Sequence, residues 1–272
     1  MAQRTARVGG LLLGSNRLFV IAGPCVIESA ALCRRVARHM VKVTGRLGIP
    51  YVFKASYDKA NRTSVRSFRG PGWNEGLKIL AGLREEFGVP VLSDVHTVEQ
   101  AQQAGDVLDC LQVPAFLCRQ TDLVQAAARC GKAVNLKKGQ FLAPWDMKNV
   151  IEKAAEAGAK NILVTERGTS FGYNRLVSDM TGLPVLKSFG RPVVFDATHS
   201  AQQPGGLGIA TGGSREMAVL LARAAVAAGA DGLFLEVHPE PGKALSDGPN
   251  SLALKNVEAV LETCLAIRSA IA

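Results

Sequence analysis

EEFGVPVLSDVH, residues 85–96, carries one full unit of the fold's punctuation. Glu85, Glu86 and Phe87 close an apolar-periodic helical pattern. Gly88 stands where such a helix can stop, because a left-handed residue after the last turn costs glycine little. Pro90 neither continues a helix nor donates within a central strand. Val91 and Leu92 then open a short run in which only Ser93 stands before the charged end, the pattern of a strand buried between layers. The run ends in Asp94, with His96 just beyond. Helix, glycine, buried strand and ionisable strand end follow one another in that order.

Read outward in both directions, the order repeats. Strands are expected at 18–22, 51–55, 91–94, 109–112, 133–136, 162–165, 193–196 and 232–236. Helical patterns fill 30–47, 74–87, 97–104, 121–130, 144–157, 175–181, 215–228 and 251–271, with Gly182 and Pro184 read as cutting the sixth short. Gly45, Gly48, Gly88, Gly105, Gly131, Gly158 and Gly229 each precede a strand by a few residues. Eight strand–helix units predict an α/β fold of the closed (β/α)8 TIM barrel type. An open doubly wound sheet is the alternative, but no G-x-G-x-x-G follows the first strand. Residues 8–20, turning at Gly14-Ser15-Asn16, read as an N-terminal β-hairpin that runs into the first strand and plugs the barrel's bottom.

The chain has 272 residues, close to the ~250 of one such barrel. A single catalytic domain over 1–272 is expected, since no linker or low-complexity tract interrupts the pattern. Apolar residues make up 47% and charged residues 20%. The net charge is +9. That excess fits anionic substrates or a generally basic surface. It does not point to nucleic acid, because the basic residues are scattered rather than gathered in one stripe. The six cysteines, at 25, 33, 110, 118, 130 and 264, contain no C-x-x-C pair. Their spacing suggests neither a disulfide framework nor a zinc finger, so reduced thiols and a cytoplasmic location are expected. The three-Leu run near the start is too short for a signal peptide's apolar region. No run of about 20 apolar residues exists to span a membrane.

In barrels of this type active sites lie at the C-terminal ends of the strands. Cys25 follows the first strand. Lys54 lies on the second, with Ser56, Lys59, Asn61, Arg62 and Ser64 beyond it. Asp94 and His96 end the third, and Gln112 and Arg119 belong to the fourth. Lys137 and Lys138 end the fifth, Glu166 and Arg167 the sixth, Asp196 and His199 the seventh. Glu236, His238 and Asp247 belong to the eighth. Converging cations (Lys54, Lys59, Arg62, Arg119, Lys137 and Arg167) repel one another unless the occupant carries several negative charges, as phosphates and a carboxylate do. The blander alternative, side chains snorkelling to solvent, applies most to Lys138 and least to Lys54 within its strand.

Cys25, His199, Glu236 and Asp247 form a second grouping. One thiol, one imidazole and two carboxylates make a plausible divalent metal site. Taken singly, each has a plainer use: a lone cysteine is usually an apolar filler, and a strand-end histidine is often only hydrogen-bonded. The other five cysteines read as packing. Asp94 and Glu166 look like orienting groups. The loops 197–213 and 237–249 are long enough for lids, and Thr211-Gly212-Gly213 before a helix offers a secondary phosphate seat.

The stretches IAGPCVIES, FKASYDKANRTS, LQVPAFLCRQTDL, NLKKGQF, TERGTSFGYN, FDATHSAQQPGG and FLEVHPEPGKALSDGPNSL closely resemble the 3-deoxy-D-manno-octulosonate 8-phosphate synthases. The match runs from about residue 8 to the C-terminal helix. The most discriminating element is KANRTS, residues 59–64. The related 3-deoxy-D-arabino-heptulosonate 7-phosphate synthases are similar in barrel and G-P-C start but differ there. The resemblance implies condensation of phosphoenolpyruvate with D-arabinose 5-phosphate and release of phosphate, in lipopolysaccharide precursor synthesis, by a homotetramer. It implies that Lys54, Ser56, Lys59, Lys137 and Arg167 hold phosphoenolpyruvate. Asn61, Arg62 and Ser64 would hold the pentose phosphate, with Arg119 reaching in from a neighbouring subunit. Gln112 joins the substrate-binding set, and His199, Lys54, Lys137 and Asp94 are expected nearest the chemistry. Cys25, His199, Glu236 and Asp247 match the family's metal ligands. Cys25 in particular marks the metal-dependent class, with zinc, iron, manganese or cobalt as the divalent ion.

Overall fold

The computed structural model describes residues 5–14, 16–62, 64–206 and 212–271. Ser15, Thr63 and Thr211, which belong to three of the elements just read, lie outside the described residues.

Eight parallel strands close on themselves. They are Phe19–Gly23, Tyr51–Lys54, Val91–Asp94, Cys110–Val113, Ala133–Lys137, Ile162–Glu166, Val193–Asp196 and Gly232–His238. Closure is carried by Val194 opposite Gly232 and by Phe234 opposite Ile21. The bounds depart from those expected by no more than two residues. Helices follow the strands, the first running Ala30–Leu47. Ser29 caps it by accepting from the Leu32 N–H, and Gly48 ends it at φ 65°.

Side chains alternate faces along each strand, and this sorts the interior. Outward residues such as Val20, Phe53, Leu111, Val134, Val164 and Leu235 pack under the helices. Inward residues make a separate cluster containing Phe19, Ile21, Val52, Leu92, Cys110, Leu163, Val194 and Phe234. One pleat repeat further along, the inward positions become polar: Lys54, Asp94, Gln112, Asn135, Lys137, Thr165, Asp196 and Glu236, all buried. The Thr165 hydroxyl donates to Asn135 Oδ1 (2.6 Å), and Asn135 Nδ2 donates to Gln112 Oε1 (2.9 Å). This belt separates the apolar floor from the mouth.

Two expectations need correction. The hairpin pairs Ala6–Val8 with Leu11–Leu13 and turns at Gly9-Gly10, with Gly9 at φ 55°. Its second arm ends before the first barrel strand rather than running into it over 8–20. Val8 and Leu13 do join the inward apolar cluster, so the hairpin plugs the bottom. The sixth helix is Gly182–Ser188, and 175–181 is not helical: Leu176–Val177 pairs with Thr169–Ser170 as a small ribbon. Pro184 falls in the helix's first turn, where its missing N–H and fixed φ are harmless. The residues read as a stop are therefore the start. Among the described residues, no helix is long and apolar enough to cross a membrane.

Candidate active site

The mouth opens into a cavity of about 660 Å³. Lys54, Ser56, Lys59, Asn61, Arg62, Asp94, His96, Gln112, Lys137, Arg167, His199 and Asp247 line it. Cations therefore enter from the second, fifth and sixth strands and from the loop after the second, as expected. Ser64, Arg119, Lys138, Glu166 and His238 do not line it. Ser64 Oγ accepts from the Arg66 N–H, Arg119 is exposed, and His238 faces Glu28. Lys138 is fully buried rather than snorkelling to solvent.

The first turn of the mouth is glycine for a steric reason. A Cβ on Gly23 would meet the Lys54 carbonyl oxygen at 1.8 Å. Strands one and two therefore approach closely where Pro24 and Cys25 leave the barrel. Lys54 Nζ donates to the Cys25 carbonyl (2.9 Å) and to Glu236 Oε1 (3.2 Å). Lys59 Nζ lies 3.9 Å from the same oxygen. Burial alone would push the Glu236 carboxyl up, but His199, Lys54 and Lys59 hold it well below the usual carboxylate range.

The seventh strand supplies Asp196 and, within the one-turn helix Ala197–Ser200, His199. Asp196 Oδ1 accepts from the His199 N–H (3.0 Å), and Oδ2 accepts from His199 Nδ1 (2.5 Å). Fixing Nδ1 in this way turns Nε2 toward Glu236 Oε1 (3.2 Å) and Asp247 Oδ2 (4.0 Å). Asp196 also accepts from Lys137 Nζ. Burial lowers the Lys137 ammonium to about 8, against the partial support of Asp196 and with further lowering by Arg167 and Lys54. Asp94 forms a matching group on the opposite wall. It accepts from Ser56 Oγ and lies 3.0 Å from His96 Nε2.

Ligand atoms of Cys25, Glu236 and Asp247 lie within 4.8 Å of one another, and His199 Nε2 adjoins them. Three observations fit this group to a divalent ion. The donor set is one thiol, one imidazole and two carboxylates, suited to a borderline-soft metal. Glu236 Oε2 is buried with no hydrogen-bond partner. Burial, Asp247 and Glu236 together push the Cys25 thiol well up, so its conversion to a thiolate ligand needs a cation beside it. Asp247 sits at φ 49°, a left-handed position rare for a residue with a Cβ, and strain of that kind gathers at functional sites.

Several residues that hold this arrangement went unassigned in the sequence reading. Gln202 accepts from Arg167 Nη2 (2.9 Å) and donates to Asp247 Oδ1 (3.0 Å), joining the cationic side to the metal-binding side. Ser246 Oγ accepts from Arg62 Nη1 (2.6 Å) and from the Cys25 thiol (3.0 Å). Gln202 lies in the two-residue strand Gln202–Gln203 and Ser246 on a loop, and neither segment is long enough to carry a periodicity that would reveal them. Asp196 had a signal, a carboxylate ending a buried strand three residues before a histidine. A Cβ on Gly213 would meet Asn250 Oδ1 at 1.6 Å, so packing alone calls for a glycine there, and Thr211 of the secondary phosphate seat lies outside the described residues.

Comparison with known proteins agrees with this geometry. The DAHP synthetase I family model matches residues 5–271. A Geotalea uraniireducens protein named 2-dehydro-3-deoxyphosphooctonate aldolase is 60% identical over 261 residues, 96% of each chain. A Geobacter metallireducens protein of the same name is 58% identical over 265 residues, 97% of each. One from Desulfosudis oleivorans is 60% identical over 258 residues, 94% of this chain and 92% of its own. A full-length match at this identity, on a closed barrel with a charged mouth, leaves one assignment: the chain belongs to the DAHP synthetase I family.

Proposed function

We propose that this chain is a single-domain enzyme with the activity its relatives' name denotes. It condenses phosphoenolpyruvate with D-arabinose 5-phosphate and water, giving 3-deoxy-D-manno-octulosonate 8-phosphate and inorganic phosphate for lipopolysaccharide precursor synthesis. We further propose that it works in the cytoplasm, as a homotetramer in which Arg119 serves a neighbour's site. The observation that carries the reading is the convergence of Lys54, Lys59, Arg62, Lys137 and Arg167 on one cavity beside the Cys25, Glu236 and Asp247 cluster.

Lys54, Ser56, Lys59, Lys137 and Arg167 hold the phosphate and carboxylate of phosphoenolpyruvate, with Gln112 beside them. Asn61 and Arg62, which line the cavity, take the phosphate of the pentose. Carbon three of the enol attacks the aldehyde carbon, whose oxygen takes up a proton. Water adds at carbon two, and the carbon–oxygen bond to phosphate then breaks. Fixed cations around both anions set the attack geometry and stabilise the developing charge without reorganisation. Asp94, ionised through its contacts with His96, orients Ser56. Cys25, His199, Glu236 and Asp247 would hold a divalent zinc, iron, manganese or cobalt ion. Bound there, it supplies Lewis-acid charge at the mouth. Asp196 keeps His199 oriented and takes the ammonium of Lys137.

Released phosphate is the direct readout. Phosphoenolpyruvate with D-arabinose 5-phosphate is expected to yield it, and erythrose 4-phosphate or N-acetylmannosamine in place of the pentose is not. A chelator is expected to stop the reaction, and added divalent metal to restore it. Equal rates with another aldehyde would overturn the substrate assignment. Full rate after stripping would overturn the metal assignment.

A further inference from the structure

Strand five ends in Lys137 and Lys138 follows at once, and only Lys137 lines the cavity. The pleat turns Lys138 the other way. It is 0% exposed, one of the largest fully buried side chains in the described residues. Its ammonium donates to the Leu142 carbonyl (3.0 Å), the Gly139 carbonyl (3.3 Å) and Thr169 Oγ1 (3.4 Å). Glu166 Oε1 stands 3.5 Å away. That same oxygen accepts from the backbone N–H of Arg167 (2.9 Å) and of Gly168 (2.7 Å). One buried ammonium thus ties the loop after strand five to the loop after strand six. The covalent neighbour of the first is Lys137, and the residue held by the second is Arg167.

Lys137 and Arg167 are like charges at the ends of adjacent strands, the second just beyond Glu166. Asp196 holds the Lys137 ammonium, and Gln202 with the His199 carbonyl holds the Arg167 guanidinium, but the backbone from which both side chains spring is set by the loops that Lys138 and Glu166 join. A buried ion pair is a poor source of net stability, because desolvation cancels much of its attraction. Its energy falls steeply with misplacement, so it serves well to fix a register.

We propose that Lys138 is a positioning residue: clamped to Glu166, it sets the separation of Lys137 and Arg167 before substrate arrives. This rests on the reading that those two cations hold phosphoenolpyruvate. It makes Lys138 a determinant of affinity for that substrate and not for the pentose phosphate, whose expected contacts lie on the loop after strand two.

The test pairs Lys138→Met with the double variant Lys138→Met/Glu166→Gln. The glutamine keeps an oxygen for the Arg167 and Gly168 N–H groups while removing the stranded charge. Lys138→Met is expected to lower kcat/KM for phosphoenolpyruvate on the order of 100-fold. In the double variant the thermal midpoint is expected to return to within about 3 °C of the parent, since no unpaired charge stays buried. Its KM for phosphoenolpyruvate should stay raised by about tenfold or more, and its KM for D-arabinose 5-phosphate should change by less than about twofold. If the single variant does not fold, the double variant decides alone. Recovery of phosphoenolpyruvate KM together with the midpoint would make the pair a stability element only and overturn the proposal. An equal rise in both KM values would do the same. If the parent releases no phosphate from the two substrates, the functional reading falls. Calorimetric binding of phosphoenolpyruvate alone then decides the inference, which requires the double variant to bind about tenfold more weakly and fails otherwise.

Discussion

Phe234 and Glu236 are two residues apart on the same strand and both are shut off from solvent, yet they sit in opposite surroundings. Phe234 belongs to the floor, with Phe19, Ile21, Val52, Leu92 and the hairpin's Val8 and Leu13. Glu236 belongs to the mouth, among Lys54, Lys59, His199 and Asp247. The floor gains free energy by leaving water. The mouth spends free energy by burying charge, and recovers it only in part through internal partners. The difference teaches that one closed barrel divides its labour by height, stability below and chemistry above. Substitutions at the two levels should fail in different assays.

The sharpest break in that comparison is at Lys137. Its ammonium sits 3.7 Å from the centre of the Phe234 ring and is held by Asp196. Lys137→Met keeps the length of the side chain and removes the charge. We expect kcat/KM for phosphoenolpyruvate to fall about 1000-fold, the scale on which preorganised charge is lost. A thermal scan should show a smaller fall than Phe19→Ala produces, because Asp196 keeps His199 and Thr198 as partners. Near-parental turnover would mean that the mouth's cations are not where catalysis happens.

Phe19→Ala is the mirror experiment. Phe19 is 0% exposed and fills the space left by Gly232, where a Cβ would lie 2.5 Å from its ring. Emptying that site should cost about 3–5 kcal/mol, roughly 5–9 °C in midpoint for a chain of this size. Measured at about 25 °C on folded protein, kcat/KM should change by less than about threefold. A large kinetic loss without a stability loss would erase the division by height.

The same division decides what the sequence could reveal. Phe19, Val52, Leu92 and Val194 were legible as strand residues because short apolar runs mark strands covered on both faces, but the same runs hide which face alternation gives each residue. Lys54, Asp94, Gln112, Lys137 and Asp196 were legible as strand ends, and strand ends converge in a barrel. Lys138 was misread because the same alternation, applied one residue further, sends it away from the mouth. Gln202 and Ser246 were assigned no role: their value comes from bridging Arg167 to Asp247 and Arg62 to Cys25, and contacts from a two-residue strand and a loop leave no period. The sixth helix was misplaced because a proline in a first turn looks in sequence like a proline that ends one.

A pH titration probes the mouth more gently. The folded Lys137 ammonium titrates at about 8, down from 10.5, with burial as the main cause. Below about pH 8 it is charged and can hold an anion. Above that its loss should raise the KM for phosphoenolpyruvate about tenfold per pH unit until the lysine's ordinary range is reached. Stability should move the opposite way. Between about pH 8 and 10.5 the unfolded chain binds the proton that the folded one has released, so this group's destabilising contribution is present below that window and disappears across it. Lys137→Met should lose both dependences. A parental KM that stays flat from pH 7 to 10 would show that this ammonium does not bind substrate.

The smallest expected effect is at the hairpin. Val8 pairs with Leu11 and is 0% exposed beneath the floor. Val8→Ala removes two methyl groups from that contact, worth about 1 kcal/mol after allowing for apolar surface the unfolded chain already covers. Because Val8 closes the end farthest from the charges, its loss should lower the midpoint by only about 2 °C and leave both KM values unchanged. Hydrogen exchange is the finer probe. Opening of the plug should speed exchange at the Val20 and Phe53 amides, which donate to Pro50 and Pro90 at the start of the neighbouring strands. Amides around Glu166 and His199, on the far side of the Thr165–Asn135–Gln112 belt, should keep their protection. Faster exchange at those mouth amides would mean that the belt transmits the floor's loosening, and that the two levels open as one unit.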